Sequence, residues 1–366
     1  MFIPPKPFLI TMLSPARQAV SANIARPVLL GVIIMGLALM AGCGKKAASP
    51  GDLPKVNFTH DWVPEPEHGG YYAADINGYW REAGVEVNVI PGGPNAEIER
   101  IVSIDPNGLG ISRGDAVILA VSRGLPIVAV NSYFQHDPQG IMVREDSPVK
   151  TFADLEDRDV SIASGQTFFL YLQKKYNLTK TRVRPVTGSV ANFIVDPNYI
   201  QQAYPTSEPY YALKEGVRSR VLQISGSGFD PYRVIIANKA LVEKHPELVK
   251  AFSKGAYRGW KEYYRNPGPT HKKILSISPT MEWKGMIFGF NKMRELRFSD
   301  GDPAKGESLG AVDPKRWETL QQVMLEYALI DKPVDLSTVF TSDFTPAKLG
   351  IDPTLPATEI PLTENP

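Results

Sequence analysis

The chain has 366 residues, of which 40 are lysine or arginine and 39 are aspartate or glutamate, so its formal net charge is +1. It has no basic excess and no run of more than two consecutive lysine or arginine residues, so the charge pattern does not favour nucleic acid as a partner. The single cysteine excludes an internal disulfide.

An uncharged apolar run at residues 28–42 ends at this single cysteine, Cys43. The 42 residues before it contain three basic residues and no acidic one. Because the run is shorter than the roughly 20 residues that span a bilayer, a signal peptide over residues 1–42 is predicted. Residues 39–43 are similar to a bacterial lipobox, and this resemblance implies a lipid on Cys43. The alternative is a free thiol in an uncleaved anchor.

Residues 43–55 are small, polar and proline-containing, and we interpret them as a tether between the lipid and a folded domain. A short strand at 56–59 follows and ends at Asp61 and Trp62. Apolar residues then recur at helical spacing over 72–83, so a helix is predicted there, with the next residue, a glycine, suited to cap it.

This first unit brings a carboxylate and an aromatic ring to the end of a strand. Ligands of open α/β sheets bind beyond the carboxyl ends of strands, so Asp61 and Trp62 are candidate ligand-binding residues. The alternative is that Trp62 belongs to the core.

Strands and helices alternate regularly after this unit. Predicted strands cover residues 85–90, 109–111, 126–134, 140–144, 160–163, 182–186, 201–204, 220–224 and 232–237. Predicted helices between them cover residues 95–103, 112–124, 164–176 and 208–216. Such alternation favours parallel sheets. The glycine clusters lack the spacing of dinucleotide or P-loop motifs, so nucleotide binding is not expected.

The alternation restarts after residue 144, which predicts two lobes. The first lobe is expected to contain residues 56–142 and 233–349, and the second residues 143–232. The later part of the first lobe is predicted to be mostly helical, with helices at 246–265, 270–277, 281–296 and 314–328. The tail at 350–366 is rich in proline and threonine and is predicted to be disordered.

Several short motifs, taken in order, resemble a known family of solute-binding proteins. They are Asp61-Trp62, Pro64, His68-Gly69, Tyr72-Ala73, Gly78-Tyr79, Gly84-Val85, Gly124-Leu125-Pro126, Phe152-Ala153-Asp154-Leu155, Thr206-Ser207-Glu208-Pro209 and Asp230-Pro231-Tyr232. The family serves ABC importers and takes thiamine pyrimidine precursors and riboflavin, or in other branches sulfonates, taurine and nitrate. The Asp-Trp-x-Pro opening with His68-Gly69 resembles the pyrimidine and riboflavin branches more closely. The resemblance covers about residues 56–329.

The resemblance implies an α/β, two-lobed periplasmic binding protein fold of the type II kind, with the ligand cleft between the lobes. It implies a monomeric protein of the cell envelope, anchored to the membrane by its N-terminal lipid. Such a protein binds a small flat heterocycle without a cofactor and delivers it to an ABC transporter permease. An alkyl sulfonate, taurine or nitrate is the alternative ligand.

Loops that meet at this cleft supply the candidate ligand-binding residues. They are Asp61, Trp62, His68, Gly69, Ser112, Arg113, Tyr133, Phe134, Ser164, Thr167, Ser207 and Glu208. The free N–H groups of a helix opened by Ser164 are suited to an anion or a polar ligand edge, unless Ser164 only caps that helix. Glu208 is suited to accept paired hydrogen bonds from an aminopyrimidine, or alternatively to cap the helix that begins at Pro209.

Catalysis has little support in the sequence. The five histidines are scattered without the His-Glu-x-x-His spacing of a zinc site, and no Gly-x-Ser-x-Gly motif is present. One relative of the resembled family is a eukaryotic pyrimidine synthase that consumes its own histidine and needs a cysteine-rich iron motif. Because Cys43 is the single cysteine, that motif is absent here. A binding protein with no catalytic residue and no metal site is therefore expected.

Overall fold

The computed structural model describes residues 53–94 and 96–356 of the chain. The predicted signal peptide, Cys43 with its predicted lipid and most of the predicted tether lie outside the described residues. Within the described part of the chain, no helix combines the length and the apolar character needed to cross a membrane.

Ten strands and thirteen α-helices are formed by the described residues. The strands are β1 Lys55–Thr59, β2 Glu86–Ile90, β3 Gly108–Arg113, β4 Ile127–Phe134, β5 Gly140–Arg144, β6 Asp159–Ile162, β7 Arg182–Pro185, β8 Ile200–Ala203, β9 Ser219–Gln223 and β10 Arg233–Asn238. The helices are α1 Gly69–Ile76, α2 Tyr79–Ala83, α3 Ile98–Ile104, α4 Gly114–Ser122, α5 Thr167–Lys175, α6 Ala191–Val195, α7 Glu208–Lys214, α8 Lys239–Lys244, α9 Pro246–Arg265, α10 Gly268–Ile277, α11 Trp283–Glu295, α12 Pro314–Glu326 and α13 Pro346–Leu349.

The strands form two five-stranded sheets, with orders β2-β1-β3-β10-β4 and β7-β6-β8-β5-β9. Within each sheet the early strands pair in parallel, whereas β10 and β5 pair antiparallel with both neighbours. The predicted α/β fold with two lobes is therefore confirmed. The sheets are mixed rather than parallel because the chain crosses between them and returns.

The two crossings lie at residues 135–139 and 224–232. They are joined by His136 and Asp230, whose Nδ1 and Oδ2 atoms are 2.6 Å apart. Strand β5 belongs entirely to the second sheet, although the predicted limit at residue 142 divides it. The limits of the lobes themselves stay a prediction.

Apolar side chains cover both faces of the central strands in the first sheet. Residues 234–237 of β10 are all at most 1% exposed, which explains their unbroken apolar sequence. The long helix α9 covers one face, burying residues such as Phe252, Trp260 and Tyr263. Its bounds are those predicted from its apolar periodicity.

The predicted single helix over residues 72–83 is wrong. Two helices form instead, because Gly78 between them has a φ of 70°, in the left-handed region that ends a helix. Gly84 has a φ of 97° and caps α2 as predicted.

Two glycines allow α1 and α9 to cross at very short range. A Cβ atom at Gly70 would lie 2.2 Å from the ring of Trp260, and one at Gly259 would lie 2.1 Å from the Gly70 carbonyl oxygen. Gly69 is enclosed in the same way, because a Cβ atom added there would lie 2.1 Å from the ring of Tyr263. The His68-Gly69 motif thus places a helix against its neighbour.

Two predicted helix starts differ from the structure. Ser112 and Arg113 are the last residues of β3, and α4 begins only at Gly114. Helix α5 begins at Thr167 with Gln166 as its N-cap, so the predicted start at Ser164 and the capping role considered for it are wrong. Ser164 is an exposed residue in the turn before that helix.

Residues 350–356 have no regular secondary structure but contact the first lobe. Ile351 and Leu355 pack against its core, and the Lys261 ammonium donates to a carboxylate oxygen of Asp352 at 3.1 Å. Disorder was expected for this stretch, and the difference follows from these apolar side chains. The remainder of the predicted tail, from residue 357, lies outside the described residues.

Candidate ligand-binding site

A cavity of about 720 Å³ lies between the two sheets, at the ends of their strands. Eleven of the twelve candidate residues line it: Asp61, Trp62, His68, Ser112, Arg113, Tyr133, Phe134, Ser164, Thr167, Ser207 and Glu208. Gly69 does not line it, because that glycine faces Tyr263. The topology therefore brings together loops that are separated by up to about 150 residues of sequence.

Asp61 is bound at one wall of the cavity by two partners. One of its carboxylate oxygens accepts a hydrogen bond from the guanidinium of Arg233, and the other lies 3.3 Å from His68 Nε2. His68 Nδ1 accepts from the backbone N–H of Glu65 at 3.2 Å, which leaves the ring proton on Nε2 to donate to Asp61. Burial opposes ionisation, but Arg233 and His68 outweigh it and lower the pKa of Asp61 well below its ordinary value.

Arg233 was not among the predicted site residues. It is the first residue of β10, and its Nε donates to the Tyr133 hydroxyl at 3.2 Å. A guanidinium at the head of an otherwise apolar strand was the sequence signal that could have identified it, because a buried arginine requires a partner.

Two of the candidate residues, Arg113 and Ser112, are already engaged within the protein. Arg113 Nε lies 3.2 Å from Asp115 and 4.0 Å from Asp137. The hydroxyl of Ser112 donates to Glu99 at 2.5 Å. Burial raises the pKa of Asp137 to about 6, although Arg233 and Arg113 favour its charged form.

The three predicted aromatic residues differ in their exposure to the cavity. Tyr133 and Phe134 are almost fully buried and lie against Trp260 in the core, at centroid distances of 5.8 and 5.7 Å. Trp62 is partly exposed, and its ring approaches Gly188 of the second lobe. Of these three rings, that of Trp62 is the most exposed.

The second lobe contributes amides, hydroxyls and one more ring to the cavity. Gln202 Nε2 donates to Gln139 Oε1 at 2.9 Å, and Gln202 Oε1 accepts from the backbone of Ala163. Tyr204 lies opposite Arg233, and burial raises the pKa of the Tyr204 phenol well above its ordinary value. Thr167 is the first residue of α5, and Ser164 lies in the turn before it.

Three carboxyl groups, Glu65, Glu67 and Glu208, line one part of the cavity that we call the acidic corner. Sequence reasoning identified only Glu208. Burial raises the pKa of Glu208 to about 7, while its Oε2 accepts from the backbone N–H of Tyr204 at 2.9 Å. Burial and mutual repulsion also raise the pKa of Glu65, and burial raises that of Glu67.

The histidines beside the cavity do not form a metal centre. His60 and His68 stack with ring centroids 4.7 Å apart, and burial holds the pKa of His60 well below its ordinary value. Across the residues that the structure describes, no group of three or more His, Cys, Asp or Glu side chains is arranged to hold a metal ion.

Two lobes with a cavity at the ends of their strands define the class of the protein, that of the periplasmic binding protein fold. Residues 65–269 match the NMT1/THI5 like family. This match covers more than half of the chain, and the chain belongs to that family.

Three relatives illustrate the range of this similarity. The chain is 23% identical over 304 residues to the riboflavin-binding protein RibY of Chloroflexus aurantiacus, covering 80% of this chain and 87% of RibY. It is 23% identical over 333 residues to the formylaminopyrimidine-binding protein of Halalkalibacterium halodurans, and the match covers 85% of this chain and 97% of that protein. It is 19% identical over 303 residues to the 4-amino-5-hydroxymethyl-2-methylpyrimidine phosphate synthase of Legionella pneumophila, and the match covers 80% of this chain and 92% of that protein.

Solved structures support the same fold. A putative periplasmic sulfonate-binding protein SsuA from Methylobacillus flagellatus aligns with a TM-score of 0.59 at 13% identity, covering 83% of this chain and 98% of that chain. At this identity the likeness describes the fold alone.

Proposed function

We propose that the protein is an extracytoplasmic solute-binding protein that takes a small flat nitrogen heterocycle, of the aminopyrimidine or flavin type. It delivers this ligand to the permease of an ABC importer. The names of two relatives, which refer to riboflavin and to formylaminopyrimidine, support this ligand class.

The observation that carries the proposal is how the charged groups of the cavity are paired. Arg233 and Arg113 are bound to internal carboxylates, and Ser112 is bound to Glu99. The groups that line the cavity and are left for a ligand include the partly exposed ring of Trp62, the carboxyl groups of the acidic corner, the hydroxyls of Ser164, Thr167 and Ser207, and the exposed guanidinium of Arg123. An aromatic face with in-plane acceptors suits a heterocycle that carries N–H donors.

Binding is favoured over catalysis, although a relative is named as a synthase. Among the described residues His68 is the single histidine that lines the cavity, and its ring is held between Asp61 and the Glu65 backbone. No cysteine of the described chain lies there. The ring of His68 is therefore not free to act as a base toward a nucleophile in the cavity.

An anionic ligand such as a sulfonate is the second candidate. The start of α5 at Thr167 favours it, because the N-terminal N–H groups of a helix attract negative charge. The acidic corner counts against it, since carboxylates repel an anion in the same cavity.

The apolar run that ends at Cys43 supports a location in the cell envelope. We propose that Cys43 carries the lipid. Metabolic labelling with a fatty acid, which Cys43→Ala should abolish, tests this.

The ligand class is tested by titrating four compounds while tryptophan fluorescence is recorded: hydroxymethylpyrimidine, formylaminopyrimidine, riboflavin and taurine. We expect saturable binding of at least one heterocycle, and Trp62→Phe should remove most of the fluorescence change. Trp283→Phe is the matched control, because Trp283 lies outside the cavity against His271. Saturable binding of taurine alone, unaffected by the change at Trp62, would contradict the proposal.

A further inference from the structure

The acidic corner is built from both lobes. Glu65 and Glu67 lie in the segment between β1 and α1, and Glu208 is the first residue of α7. The three groups are close enough for Glu67 and Glu208 to act on the charge of Glu65. A ligand in the cavity therefore meets three carboxyl groups at one place.

Glu67 differs from the other members of the acidic corner because one of its carboxylate oxygens, Oε2, is buried without a hydrogen-bond partner in the described structure. It is 5% exposed, and its Oε1 accepts a hydrogen bond from the hydroxyl of Thr206, which lies just before α7. A buried carboxylate oxygen without a donor is unfavourable, and because Glu67 lines the cavity, a ligand is able to supply that donor.

Neighbouring cations do not neutralise the acidic corner. Arg233 is paired with Asp61, and Lys214 is paired with Glu282 outside the cavity. None of the salt bridges among the described residues involves Glu65, Glu67 or Glu208. Within the described residues, the acidic corner therefore has no ion-pair partner of its own.

We propose that the acidic corner is a subsite for a positively charged group of the ligand, such as an ammonium on a substituent of the heterocycle. This inference rests on the proposed function, because it places that group on a ring bound beside Trp62. Glu65 and Glu67 are then specificity-determining residues that distinguish a cationic heterocycle from a neutral one of the same shape.

Binding of such a cation is coupled to the release of protons. Burial raises the pKa values of the three carboxyl groups in the protein without ligand, and an entering cation favours their ionised form, so the cation displaces protons from them. Affinity for the cation therefore increases with pH and weakens as the pH falls. Other titratable groups that face the acidic corner are Asp61, His68, Tyr204, Tyr211 and Tyr263.

The test compares two pyrimidines by calorimetry, 4-amino-5-hydroxymethyl-2-methylpyrimidine and its 5-aminomethyl counterpart, which carries an ammonium in place of the hydroxyl. At pH 8 we expect the amine to bind about tenfold more tightly, as charged hydrogen bonds allow. The preference should shrink at pH 6. Titrations in buffers of different ionisation enthalpy should show proton release with the amine only.

Glu67→Gln and Glu65→Gln should each weaken the amine about tenfold while changing the alcohol less than about threefold. Glu97→Gln is the control, because Glu97 also lines the cavity but pairs with Arg100 at 3.1 Å. Binding of the alcohol with no preference for the amine and no proton release would overturn this inference and leave the proposed function standing. Binding of neither compound, nor of formylaminopyrimidine or riboflavin, would overturn both.

Discussion

Asp61 and Arg233 show how one enclosed ion pair organises the wall of the cavity. The side chains are 24% and 4% exposed, and Arg233 also donates to Tyr133. Removing one partner of a buried pair leaves the other charge uncompensated, which is more costly than losing an exposed pair.

Asp61→Asn should therefore lower the free energy of unfolding by about 3–5 kcal/mol at pH 7, measured by urea denaturation. Glu82→Gln is the control, because Glu82 pairs with Arg258 at 2.7 Å on the surface. Loss of this exposed pair should lower the free energy of unfolding by less than about 1 kcal/mol. The pKa of Asp61 is lowered on folding, so its stabilisation is present above roughly pH 4 and is lost as the pH falls below that. Equal losses in the two variants would show that the Asp61 pair is not enclosed.

The sequence predicted some residues of the site and not others for a physical reason. Asp61 and Trp62 follow a strand directly, so their place at a sheet edge was readable from periodicity alone. Arg233 begins a strand that runs the opposite way, and Glu65 and Glu67 lie in a turn whose direction depends on α9. The position of such residues is set by contacts with segments distant in the sequence, and the local spacing of apolar residues does not predict those contacts.

At the scale of the elements, the crossing of α1 and α9 sets the position of the segment that carries His68, Glu65 and Glu67. Gly259 is in the interior of α9, where alanine by itself would favour the helix by about 1 kcal/mol. The added Cβ would however lie 2.1 Å from the Gly70 carbonyl oxygen and 2.7 Å from the Ala74 nitrogen. Backbone rather than a flexible side chain would have to move.

Gly259→Ala should therefore lower the free energy of unfolding by about 1–3 kcal/mol, despite its helix propensity. Gly268→Ala is the matched control, because its Cβ would meet only Asn266 at 3.9 Å, and its stability should be nearly unchanged. Thermal unfolding followed by circular dichroism measures both. A Gly259→Ala protein as stable as the wild type would mean that the two helices are not in close contact.

Helices were predictable from the sequence where the apolar spacing of their own residues sets both ends. Helix α9 has an apolar face over 20 residues, and its predicted bounds are those of the structure. The break at Gly78 was missed because apolar spacing continues on both sides of it. The start of α5 was placed at Ser164 because serine is a common N-cap, yet Gly165 with a φ of 73° keeps that residue outside the helix.

At the scale of the whole molecule, the alternation of strands and helices predicted two α/β lobes but not the order of their strands. Strand β10 inserts between β3 and β4, about 100 residues away in the chain. Through this insertion β10 connects β4 to the rest of the first sheet and brings Arg233 to Asp61. Such pairings follow from the path of the whole chain, which a local pattern cannot specify.

The central claim is that a flat heterocycle binds between the two lobes, with its ring on Trp62 and its edge at Glu208. A crystal structure of the complex with the tightest-binding heterocycle of the panel tests this directly. We expect the centroid of the bound ring within about 4.5–7 Å of the Trp62 centroid, and a hydrogen bond from the edge of that ring to Glu208. A ligand bound outside the cavity, or an anion at the start of α5 with Trp62 and Glu208 uncontacted, would contradict it.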